Sequence, residues 1–144
     1  MIKPIFYASV LLYSISMTGE AMADCTTNRV NGGNTLNSLL SGNTICVAKS
    51  GGGWESQEEH LANGQLWDYK LGTGDAVDPR KQLGTWSASN GNNAAVTYTY
   101  TAFGTPAAHT YQVYSAGGSN YDFCKGSTLV ASGTLKSGTG AGCP

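Results

Sequence analysis

Charge is scarce in this chain: 8 lysines and arginines and 9 aspartates and glutamates in 144 residues, for a formal net charge of -1. The cations are scattered, so there is no clustered basic face to hold a phosphate backbone, and nucleic acid is excluded as a partner. Long apolar runs are also missing beyond the first twenty or so residues, and a membrane span needs about 20. No CxxC, CxxCH or HExxH occurs, and Gly51-Gly52-Gly53 runs into Trp54 where a phosphate loop needs a Lys-Ser/Thr helix start. No serine stands in a Gly-x-Ser-x-Gly strand-to-helix turn. Metal centres, attached haem and the common hydrolase chemistries lose their usual signatures, so no cofactor is expected.

What is present begins with a leader. Lys3 supplies a sparse positive start, an apolar stretch runs from Pro4 to about Met17, and Ala21-Met22-Ala23 has the small residues of a cleavage site. Residues 1–23 read as a signal peptide, with cleavage before Asp24 and one domain over 24–144. After cleavage no membrane span remains, and the destination is the periplasm or the cell exterior. Cys25 follows Asp24 where a lipoprotein site requires a small residue, so a lipid anchor is not expected.

The four cysteines, Cys25, Cys46, Cys124 and Cys143, all follow the leader, and an even count in an exported domain reads as disulfides. Proximity in sequence favours Cys25 with Cys46 and Cys124 with Cys143, each closing a loop of about twenty residues worth on the order of 3 kcal/mol. The rival joins Cys25 to Cys143 and Cys46 to Cys124. Neither His60 nor His109 lies near a cysteine, which argues against zinc.

Between the cysteines, runs rich in Thr, Tyr, Val and Trp are separated by Gly, Asn and Ser, the pattern of an antiparallel β-protein. Strands are expected at Thr44–Lys49, Trp54–Ala62, Gln65–Leu71, Leu83–Ser89, Ala94–Ala102, His109–Ser115, Asn120–Lys125 and Thr128–Leu135. One short helix, Asn34–Leu40, puts Leu36, Leu39 and Leu40 on a common face. In Val96-Thr97-Tyr98-Thr99-Tyr100-Thr101 the apolar and aromatic residues point one way and the threonines the other. The expected fold is all-β, a meander of about eight strands closed into a small barrel, with a β-sandwich as the alternative.

Asn63-Gly64 is a hairpin signal. A two-residue turn there sets Leu61 opposite Leu66, His60 opposite Trp67 and Glu58 opposite Tyr69. Trp54, Ser56, Glu58 and His60 then share a face with Trp67 and Tyr69. Glu55, Gln57, Glu59, Asp68 and Lys70 take the polar exterior. An inward aromatic face makes Glu58 and His60 the candidate site, and Trp86, Tyr98, Tyr100 and Tyr111 join the same interior.

Leu83-Gly84-Thr85-Trp86 resembles the Gly-x-Trp that opens the first strand of lipocalins, exported eight-stranded barrels that hold small apolar ligands. The likeness covers only these residues and falls midway along the chain. It implies a barrel with a tryptophan at its base, and no ligand residues carry over. Physically, the glycine relieves crowding beside a large buried indole.

Catalysis is not expected: alternation puts Glu58 on the face opposite Glu55 and Glu59, which removes a paired-carboxylate glycosidase. Asp75 and Asp78 are ordinary turn residues beside Arg80 and Lys81, not a calcium loop. Two readings remain. One is a non-enzymatic exported barrel that binds a small or lipid-like ligand through Trp54, Glu58, His60, Trp67, Tyr69, Trp86, Tyr98, Tyr100 and Tyr111. The other is a surface, matrix or filament subunit, a homo-oligomer or surface assembly with a filled interior. The volume left inside the barrel discriminates between them.

Overall fold

The computed structural model describes residues 24–69 and 80–144. Residues 1–23, expected to be a leader, and the stretch containing Asp75 and Asp78 lie outside the described residues. After a short helix α1 (Thr35–Leu40), eight strands follow: β1 (Asn43–Ala48), β2 (Trp54–His60), β3 (Gln65–Asp68), β4 (Lys81–Ala88), β5 (Val96–Tyr100), β6 (Ala107–Gly117), β7 (Asn120–Lys125) and β8 (Thr128–Ser137). Each pairs antiparallel with the next, and β8 returns to β1, so the meander is a closed barrel without free edges. The barrel and its helix match the expectation from the alternation; the sandwich does not occur.

Alternation decides what fills the barrel. Val96, Tyr98 and Tyr100 face inward, while Thr97 and Thr110 meet hydroxyl to hydroxyl at 2.8 Å on the outer face. Leu36 and Leu40 of α1 are buried with Leu66, Trp86, Val96 and Val113 at the end where β1 begins. These side chains pack against one another as the hydrophobic core. The hairpins joining β1 to β2, β5 to β6 and β7 to β8 gather at the opposite end, which forms a mouth.

The hairpin at Asn63-Gly64 forms, but in a register one residue from the expected one. Leu61 N donates to Gln65 O at 3.0 Å and Gly64 N to Leu61 O at 2.9 Å, which makes Ala62-Asn63-Gly64 a three-residue loop with Gly64 at φ 84°. Glu58 therefore opposes Asp68, Glu59 opposes Trp67 and His60 opposes Leu66. A one-residue slip reverses every side chain of the second strand. Leu66 enters the core fully buried, Asp68 turns toward the mouth, and Trp67 goes outside, where the Arg80 guanidinium covers it 4.4 Å from the ring centroid. Burying Leu66 drives this choice, since full burial of a leucine is worth roughly 2 kcal/mol and the indole keeps a partner outside.

The disulfides are Cys25–Cys124 and Cys46–Cys143, which overturns both expected pairings. Closeness in sequence is a poor guide because closure makes the first and last strands neighbours, with Ile45 opposite Leu135. The N-terminal segment runs beside β6, with Val30 N donating to Val113 O at 2.8 Å and Ser115 N to Asn28 O at 2.9 Å, and this carries Cys25 to β7. The C-terminal segment crosses the outside of β1 and β2 and brings Cys143 to Cys46. Gln57 and Glu59, expected on a wet exterior, are instead fully buried beneath it. Cys143 N donates to Gln57, Gly140 N donates to Glu59, and Arg80 pairs with Glu59.

Candidate functional site

The mouth half of the barrel is hollow. An inner cavity of about 170 Å³ is walled by Ile45, Val47, Tyr98, Tyr111 and Phe123. A wider one of about 500 Å³ at the mouth is lined by Asp68, Leu83, Phe103 and His109. Glu55, Ser56, Glu58 and Tyr100 line both. Strand alternation puts them there: β2 delivers Ser56 and Glu58 to the inside, and β5 faces them with Tyr98 and Tyr100.

Glu58 is the chemical centre. Tyr100 Oη donates to its Oε1 at 2.7 Å. Desolvation among the aromatic walls pushes the carboxyl up to about 7, with Asp68 adding repulsion and the Tyr100 hydrogen bond opposing both. The hydroxyls of Tyr98, Tyr100 and Tyr111 are all pushed above their ordinary value, first by burial and then by the Glu58 charge, so each stays a neutral donor. The rings meet at tilted angles: the Tyr98 centroid lies 6.2 Å from Tyr100 and 5.9 Å from Tyr111, and Tyr100 lies 5.9 Å from His109.

His60 sits one layer deeper and lines neither cavity. Its Nε2 meets Tyr98 Oη at 2.8 Å, Trp86 stands edge-on to it at 5.2 Å, and its Nδ1 has no hydrogen-bond partner among the described residues. Burial pulls its pKa down to about 4, with the backbone at Asn43 and Glu58 opposing, so the ring is neutral at physiological pH. Its role is to hold Tyr98 in place, and Trp86, whose Nε1 donates to Leu61 O at 2.9 Å, forms the floor beneath.

Of the residues expected in the site, Glu58, Tyr98, Tyr100 and Tyr111 come together around the cavities, with His60 and Trp86 behind them. Trp67 and Tyr69 do not: Trp67 is outside, and Tyr69 lies under the C-terminal segment against Gly142. Trp54 opens β2 opposite Ala48 and lines neither cavity. Reasoning from sequence missed Asp68, which the slipped register turns inward, and Phe103 and Phe123. His109 was readable, since it alternates in step with Tyr111 and Val113.

Glu58 and His60 pull stability in opposite directions with pH. Glu58 has a folded pKa above its ordinary 4.5, so the native state holds the extra proton and stability falls as pH rises from 4.5 to about 7. His60 has a folded pKa below its ordinary 6.5, so stability is lost as pH falls from 6.5 to about 4. Each effect is on the order of 3 kcal/mol and they nearly cancel between pH 4.5 and 6.5. Chemical denaturation of Glu58→Gln should therefore show stability rising by a few kcal/mol from pH 4.5 to 6.5 where the unaltered protein is nearly flat. Parallel profiles for the two proteins would contradict the desolvation of the Glu58 carboxyl.

No protein-family model matches the chain, and neither a curated protein nor a solved structure is significantly similar to it.

Proposed function

We propose that this is an exported, non-enzymatic barrel that binds a small organic molecule carrying an amine or another strong donor, held between tyrosine faces with its polar end on Glu58. The observation that supports it is a carboxyl standing in a hollow aromatic mouth with no lysine or arginine among the described residues that line either cavity. Lys125 lies on Tyr111, 5.3 Å from the ring centroid, without lining them. A cation suits both partners: the π faces attract it, and it restores to Glu58 the charge partner that desolvation denies. A long acyl chain does not suit the site, because Leu66, Trp86, Val96 and Val113 already fill the rest of the barrel axis. The two disulfides fit an oxidising compartment.

One observation favours assembly instead. Phe103 is 74% exposed, and Leu129 and Val130 are also exposed toward the mouth end. Native mass spectrometry separates the readings, using the protein mixed in turn with 2-phenylethylammonium, 2-phenylethanol and phenylacetate. A monomer that retains the ammonium ion at least tenfold better than the neutral alcohol, and loses that preference in Glu58→Gln, is the expected result. Equal retention of the alcohol would remove the cation and leave a ligand-binding barrel. An oligomer that retains none of the three would favour assembly.

A further inference from the structure

Asp122 is a buried carboxylate with no cationic side chain paired to it among the described residues. It stands on the outer face of β7 at 3% exposure. Ser132 Oγ donates to its Oδ1 at 2.5 Å, and the backbone nitrogen of Asp24 approaches its Oδ2 at 3.2 Å. A buried carboxylate with two neutral donors is poorly compensated. The approach of Asp24 is held by covalent structure, because Cys25 is bonded to Cys124, two residues along β7 from Asp122. The side chain of Asp24 turns away from Asp122: its Oδ1 accepts from Thr26 N at 2.8 Å, and its carboxylate also takes the hydroxyls of Thr26 and Thr27.

The nitrogen beside Asp122 is therefore the one that follows the small-residue sequence Ala21-Met22-Ala23. We infer that hydrolysis of the Ala23–Asp24 bond creates, at that nitrogen, the counter-ion of Asp122, so that leader removal adds a partly buried ion pair and completes the fold. The reaction uses one water and a leader peptidase of the host, leaving a carboxyl on Ala23 and an amine on Asp24. An α-amine of ordinary pKa near 8 is mostly protonated at neutral pH. Three N–H donors and a full charge then stand where the precursor has one amide N–H. A precursor lacking this pair is less stable than the processed chain, which suits a protein that must stay unfolded until it is exported.

The test uses oxidised protein purified after export. Its intact mass should correspond to a chain starting at Asp24. Selective acetylation of that α-amine, which removes the charge without altering the chain, should lower the folding equilibrium constant at least tenfold. Asp122→Asn should lose a similar factor, and acetylation of Asp122→Asn should cost little more, because the pair is already broken. A refolded chain carrying one extra residue, Ala23, should behave like the acetylated protein. A start other than Asp24, no loss on acetylation, or fully additive losses in the acetylated variant would each overturn the inference.

Discussion

Gly84→Ala is expected to yield no stably folded protein. Gly84 lies in β4 opposite both Leu66 of β3 and Tyr100 of β5, and a β-carbon built on it would overlap the backbone carbonyl oxygen of Thr99. The obstacle is backbone in the middle of a closed sheet, so no side-chain rotation relieves it. Opening the β4–β5 ladder to make room would break the ring, and a loss of more than about 4 kcal/mol follows, comparable to the whole stability of many domains. Thr85→Ala, on the exposed outer face next door, should stay within about 0.5 kcal/mol. Circular dichroism with thermal melting makes the comparison. A cooperative melt for Gly84→Ala within a few degrees of the unaltered protein would mean the strands are not so close. The crowding that glycine relieves thus comes from the neighbouring strand, not from the Trp86 indole.

Replacing Cys46 and Cys143 together with alanine is expected to cost about 4 to 5 kcal/mol, because the bond closes a separation of 97 residues and the chain-entropy contribution grows with loop length. The pairing expected from proximity in sequence would give a smaller loss. The bond also clamps the C-terminal segment over Gln57 and Glu59, whose oxygens take the amides of Cys143 and Gly140. Urea titration of the oxidised double variant measures the loss, and non-reducing peptide mapping of the unaltered protein should recover Cys25 joined to Cys124 and Cys46 joined to Cys143. A fragment joining Cys25 to Cys46 would contradict the topology outright.

The barrel was legible because it depends on local alternation. Val96-Thr97-Tyr98-Thr99-Tyr100 declares its two faces without help from the rest of the chain, and Gly, Asn and Ser punctuation marks off the other strands. What was not legible depends on a choice between nearly equal local options. Asn63-Gly64 suits a two-residue or a three-residue loop, and only the competition between Leu66 and Trp67 for the core decides between them. That single residue moved Trp67 and Tyr69 out of the site and Asp68 into it. Glu58, Tyr98, Tyr100 and Tyr111 were found because alternation within β2, β5 and β6 sets their faces whatever register β3 takes. The cover over Gln57 and Glu59 was invisible for another reason: a glycine-rich tail has no periodicity, and its position is set by a disulfide between distant residues.

The mouth cavity, the register and the proposed ligand chemistry all rest on Glu58 standing inside the barrel. Its proton can be read directly from the side-chain carboxyl ¹³C resonance through a pH titration of the oxidised, ligand-free protein, assigned with Glu58→Gln. A midpoint near 7 is the expected result, since desolvation by the aromatic walls outweighs the Tyr100 hydrogen bond. A midpoint at the ordinary 4.5 would place the carboxylate in open water and contradict the hollow aromatic mouth.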